Sequence, residues 1–130
     1  MGRRPQEFEQ HPSPFPGGEF RAVCRHVVDG DTLDALVDLG FNQYGYTTIR
    51  LRGVNTPETR TSDEAEKVRG FAARDRTRAL VEGKAIVIRT TPDPVTFGRY
   101  VAEVSFHEQG AWRDLGQVLL QEGHAVVSRA

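Results

Sequence analysis

Ile49-Arg50-Leu51-Arg52-Gly53-Val54-Asn55-Thr56-Pro57-Glu58 is the stretch on which the reading of this chain turns. Ile49, Leu51 and Gly53 alternate with Arg50, Arg52 and Val54, the period of a β-strand that can bury one face and present arginine on the other. Pro57 has no N–H to give to a sheet and biases Thr56 away from helix. The strand therefore breaks at Asn55-Thr56 and leaves Glu58 on a bend beyond it. A cation, two oxygen donors and a carboxylate lie within nine residues, which reads as a strand ending in an active site.

Upstream, residues 20–28 alternate Phe20, Ala22 and Cys24 as a first strand, with His26 at an ordinary surface or half-buried position. Asp29-Gly30-Asp31-Thr32 is a turn, residues 33–39 are a second strand, and Gly40 to Gly45 turns the chain into a third strand at residues 46–53. Phe41, Tyr44 and Tyr46 at this turn suit either base stacking or packing of the hairpin on itself.

Downstream, residues 61–82 read as one long helix, with Thr61 and Glu64 as a capping box, Val68, Phe71, Ala72, Ala79 and Leu80 as the apolar stripe, and Gly83 as the stop. Arg69, Arg74, Arg76 and Arg78 interleave with Glu64, Glu66, Asp75 and Glu82, the pattern of a solvated, salt-bridged face. Residues 84–89 form a fourth strand, and a loop with Pro92 and Pro94 delivers Phe97-Gly98-Arg99 to a fifth strand at residues 100–106. After the Gln109-Gly110 turn, Asp114 caps a short helix over residues 115–122, Gly123 ends it, and residues 125–127 run extended. Five short strands with a helix between the third and fourth predict a mainly β, α+β fold: a five-stranded OB-fold barrel with one long and one short helix.

Composition sets the limits of function. The 130 residues and 38% hydrophobic content suit one domain at residues 19–130, behind a proline-rich tail at residues 1–18 expected to be disordered. A net charge of −1 gives no global basic footprint, so any phosphate recognition rests on local arginines. Cys24 is the one cysteine, which excludes an intramolecular disulfide and a thiolate zinc cluster. Arg3 and Arg4 are followed by no apolar segment of signal-peptide type, and no run approaches transmembrane length, so the expectation is a soluble cytoplasmic protein without membrane contact or obligate protein partner.

The run RLRGVNTPE, with Val28-Asp29-Gly30-Asp31-Thr32 before it and Phe97-Gly98-Arg99 after it, resembles the thermonuclease (staphylococcal nuclease) family in order and spacing over roughly residues 20 to 127. The resemblance implies an OB-fold nuclease that hydrolyses DNA and/or RNA with calcium, Ca2+. It assigns Asp31, Asn55 and the Thr56 backbone carbonyl to the metal, Glu58 to the attacking water, and Arg50 and Arg99 to the phosphate. Calcium takes hard oxygen donors of this kind. Two departures stand out: Asn55 occupies the place of an aspartate, removing a negative charge from the metal site, and Phe97 replaces a tyrosine.

Without the resemblance the same residues have plainer roles. Asp29 and Asp31 shape a turn, Arg50 and Glu58 form an ion pair, and Gly98-Arg99 ends a loop. The alternative function is then a non-catalytic OB-fold module that binds nucleic acid or a protein partner.

Overall fold

The computed structural model describes residues 18–96 and 99–128, with the backbone alone at residues 91–96, and Gln6. The expectations for the rest of the tail and for Phe97 and Gly98 lie outside the described residues. The elements in order are β1 (Glu19–Asp29), β2 (Thr32–Gly40), β3 (Gln43–Leu51), β4 (Val54–Asn55), α1 (Glu64–Val81), β5 (Ala85–Thr96), β6 (Arg99–Glu108), β7 (Ala111–Asp114), α2 (Leu115–Gln121) and β8 (Val126–Val127).

Sheet order is β3-β2-β1-β5-β6-β7, and β3 also pairs with β6. That last pairing is parallel, Ile49 with Tyr100 through Leu51 with Ala102, and it closes the five expected strands into an OB-fold barrel of α+β class. β7 extends β6 as a hairpin, and β4 pairs with β8 as a separate ribbon. Inward-facing residues of each barrel strand meet in one core that includes Cys24, Val27, Leu33, Ile49, Leu51, Ile86, Val104 and Phe106, joined by Leu115, Val118 and Leu119 of α2.

β1 shows how the sequence sets this packing. Ala22 and Cys24 point inward, but a bulge between Cys24 and His26 shifts the phase, so Val27 is buried and His26 exposed. Burial pushes the Cys24 thiol up to about 11, with the nearby Glu82 carboxylate adding to the shift, so the sulfur stays protonated and behaves as a small apolar core group.

Several boundaries differ from the sequence reading, each for a local reason. The hairpin between β2 and β3 turns on Phe41 and Asn42 alone, both at positive φ, so β3 begins at Gln43 rather than at Tyr46. α1 begins at Glu64, because Asp63, and not a Thr61–Glu64 box, accepts hydrogen bonds from the Ala65 and Glu66 N–H groups. Its buried face is Gly70, Ala73, Thr77, Leu80 and Val81, whereas Val68 is exposed. The helix lies close on the turns beneath it, so small residues face inward and the larger Phe71 stays half-exposed under the Arg74 guanidinium. β5 runs on through Pro92 and Pro94, accommodated by a break in its register with β6 between Thr90 and Val95. Asp114 caps α2 as expected, by accepting from the Gln117 N–H.

Candidate active site

The Asp29–Thr32 turn is held from several sides. Thr59 Oγ1 donates to Asp29 Oδ1 at 2.6 Å, Thr77 Oγ1 of α1 donates to the Gly30 carbonyl at 2.8 Å, and the Thr56 N–H donates to Asp31 Oδ2 at 2.9 Å. Asp31 Oδ1 accepts from Thr32 Oγ1 at 2.9 Å, and the Asp31 carbonyl accepts from the Leu51 N–H at 2.8 Å. Gly30 is required by space: a Cβ there would meet Thr56 Cγ2 and Ala73 Cβ at 2.9 Å. The turn is thus clamped to β3, to the strand break after it and to α1, and the Asp31 side chain is fixed among them, 12% exposed.

Arg50 sits at the centre. Its Nη1 donates to the Val54 carbonyl at 2.8 Å and to the Leu51 carbonyl at 3.1 Å, and stands 3.4 Å from Asp31 Oδ2, while Nη2 donates to Asn55 Oδ1. One guanidinium therefore touches two of the three candidate metal ligands and curls the chain from Leu51 to Asn55 around itself. Gly53, at φ +76, supplies the left-handed residue the curl needs. Three N–H groups are used, which leaves two of the five on Arg50 without a bond to any described residue. Its ionic partner is Asp31 rather than Glu58.

The rim is built differently. Glu58 is exposed, and no described residue hydrogen-bonds to its carboxylate. What positions it is its backbone: a Cβ on Gly70 would lie 2.4 Å from the Glu58 carbonyl oxygen and 2.9 Å from that of Pro57, so α1 rests directly on the bend. Arg99 is exposed at the start of β6, with no ion pair to a described residue. Because Arg50 pairs with Val101, two positions from Arg99, both arginines fall on the outward face of the strands that close the barrel. The geometry therefore brings Asp31, Arg50, Asn55 and Thr56 into one cluster, sets Glu58 on its rim, and places Arg99 on the adjoining strand.

The family model of staphylococcal nuclease homologues matches residues 48–130. The chain belongs to the staphylococcal nuclease homologue family. The match begins inside β3, so the Asp31 turn lies before it, and the fold reunites the two halves of the motif through the Thr56-to-Asp31 bond. No curated protein matches this family member.

The family implies a calcium ion, and the donor chemistry suits one. Asp31 carboxylate, Asn55 amide oxygen and Thr56 carbonyl are all hard oxygens, carrying one formal negative charge in all. Asp31 and Asn55 are already gathered around a cation, the Arg50 guanidinium. Thr59, Thr77, Gly70 and Ala73 were not singled out from the sequence as parts of the site. The spacing 70, 73, 77 carried the signal, a helical stripe of small residues and one hydroxyl, but it was outweighed by the larger apolar residues of the same helix.

Proposed function

We propose that this family member is a calcium-dependent nuclease that hydrolyses phosphodiester bonds of DNA and/or RNA. The observation that carries the reading is the arrangement of one buried carboxylate, Asp31, tied through Arg50 to Asn55, with a solvent-facing carboxylate and a second arginine at the edge. Glu58 is the general base: exposed at the rim, it takes the proton of the attacking water. Arg99 and the two N–H groups of Arg50 without a bond to a described residue hold the phosphate oxygens as negative charge builds on them, with bidentate geometry available to each guanidinium. Asp31, Asn55 and the Thr56 carbonyl would hold calcium, which when bound supplies positive charge next to the phosphate. Asp31 and the buried turn keep this end of the site in one geometry, so little reorganisation accompanies the reaction.

Digestion of plasmid DNA and of RNA, with calcium and with a chelator, tests the proposal. Products in calcium that are lost on chelation and in Glu58→Gln support it. Equal products from Glu58→Gln refute it.

The non-catalytic module is the second reading, favoured by Arg50 spending three of its donors inside the protein and by Asn55 standing where the family has aspartate. Retained oligonucleotide binding without products under any of these conditions would select it.

A further inference from the structure

We propose that the outward face of β3 is a binding track for single-stranded nucleic acid, with Tyr44 and Tyr46 stacking successive bases, Phe41 projecting at its outer end and Arg50 with Arg99 taking phosphate at its inner end. The proposal rests on the nuclease reading and names the form of substrate that site receives. Tyr44, Tyr46, Thr48 and Arg50 alternate along one strand and so share a face, their register partners on β2 being Asp38, Leu36, Asp34 and Thr32. Tyr44 and Tyr46 are 61% and 62% exposed. Neighbouring positions on this face are about 6.5 to 6.8 Å apart, and Tyr44 to Arg50 spans roughly 20 Å, room for a few nucleotides laid along the strand.

The hairpin tip strengthens the case. Phe41 is 98% exposed and holds φ at +55, a conformation that a bulky side chain adopts at a cost in stability. Neither burial nor backbone preference accounts for a phenylalanine there, whereas a contact with a bound molecule does. β6 joins β3 only from Ile49 onward, so among the described residues Gln43 to Thr48 have an open edge beside the tyrosines.

Charge selects the occupant. Asp38 and Asp34 lie on the same face, but Arg21 pairs with Asp38 at 3.0 Å and Thr48 donates to Asp34 at 2.6 Å. Asp31 in turn pairs with Arg50 at 3.4 Å, so what this end of the face offers a phosphate is Arg99, with no ion pair to a described residue, and the two N–H groups of Arg50 without a bond to one. An aromatic stripe that runs into arginines matches a chain of exposed base faces on an anionic backbone, and a duplex, whose base faces are stacked away, offers no such match.

The test is fluorescence anisotropy in chelator, using the full chain with labelled oligothymidylate, oligouridylate and a DNA duplex of equal length. Tyr44→Ala/Tyr46→Ala should weaken binding of at least one single strand by about tenfold or more and leave the duplex within about twofold, while Tyr44→Phe/Tyr46→Phe should bind as wild type. The proposal fails if wild type binds neither single strand, if the alanine variant binds both as wild type does, or if the alanine variant loses duplex and single strand alike. It also fails if sedimentation shows a wild-type dimer that the alanine variant dissolves, since a second copy then covers the face. Tyrosine-dependent binding by a protein that cleaves nothing in calcium would sink the nuclease reading alone, and calcium-dependent cleavage with tyrosine-independent binding would sink this one alone.

Discussion

The two halves of the site are opposites. Around Asp31, Arg50 and Thr56 a web of hydrogen bonds ties side chains to backbone and little is exposed, whereas Glu58 and Arg99 stand in solvent with no described side chain bonded to either. The inner half has the dense hydrogen bonding of a protein interior, in which removing one partner strands another. The outer half has the freedom that a proton acceptor and a phosphate clamp require. On the proposed mechanism, inner residues therefore set stability as well as chemistry, and rim residues set chemistry alone.

Arg50→Met breaks the contrast most severely. It removes a cation from the buried Asp31 carboxylate and frees two backbone carbonyls, and it should lower stability by about 3 kcal/mol in denaturant melts. Calcium should recover part of that loss, because the oxygens of Asp31 and Asn55 are released to bind it, so the calcium-induced rise in Tm should be larger in the variant than in wild type. A variant that melts like wild type would show that the inner half is not held by Arg50.

Gly70→Ala tests the joint between the halves. Its methyl group would enter the space of the Glu58 and Pro57 carbonyls, so α1 or the bend must move, at a cost of about 2 kcal/mol, and Glu58 should be displaced with it. The expected result is a lower Tm together with reduced turnover. Unchanged turnover would mean that the helix does not position Glu58.

Thr56→Val gives the smallest effect, and in the other direction. The Thr56 hydroxyl is buried without a hydrogen-bond partner among the described residues, while its backbone N–H makes the bond to Asp31. An isosteric methyl removes the stranded polar group and should stabilise the protein by about 1 kcal/mol. Destabilisation instead would reveal a bonded role for that hydroxyl, through water for example.

The same contrast explains what the sequence made legible. The barrel strands were readable because alternation such as Phe20-Ala22-Cys24 and Ile49-Leu51 reports burial directly, and the RLRGVNTPE run marked the bend, although β3 ends at Leu51, at the turn through Arg52 and Gly53, ahead of the break expected at Asn55-Thr56. The clamps were not readable. Thr59 and Thr77 act across 30 and 47 residues of chain, on Asp29 and Gly30, and no local pattern reports such a pairing. The α1 stripe was misread because Val68 and Phe71 are the more apolar residues, yet close approach to the turns favours Gly70 and Ala73. β7 was missed because Ala111-Trp112-Arg113 has no alternation of its own and pairs only by continuing the Gln109-Gly110 hairpin.

The most direct test of the division into scaffold and chemistry is the pair of values kcat/KM and Tm for Glu58→Gln, measured with calcium on one oligonucleotide substrate. Loss of the general base should lower kcat/KM by about a hundredfold or more while Tm stays within about a degree of wild type, because no described side chain depends on that carboxylate. Turnover close to wild type in the folded variant would contradict the account at its centre.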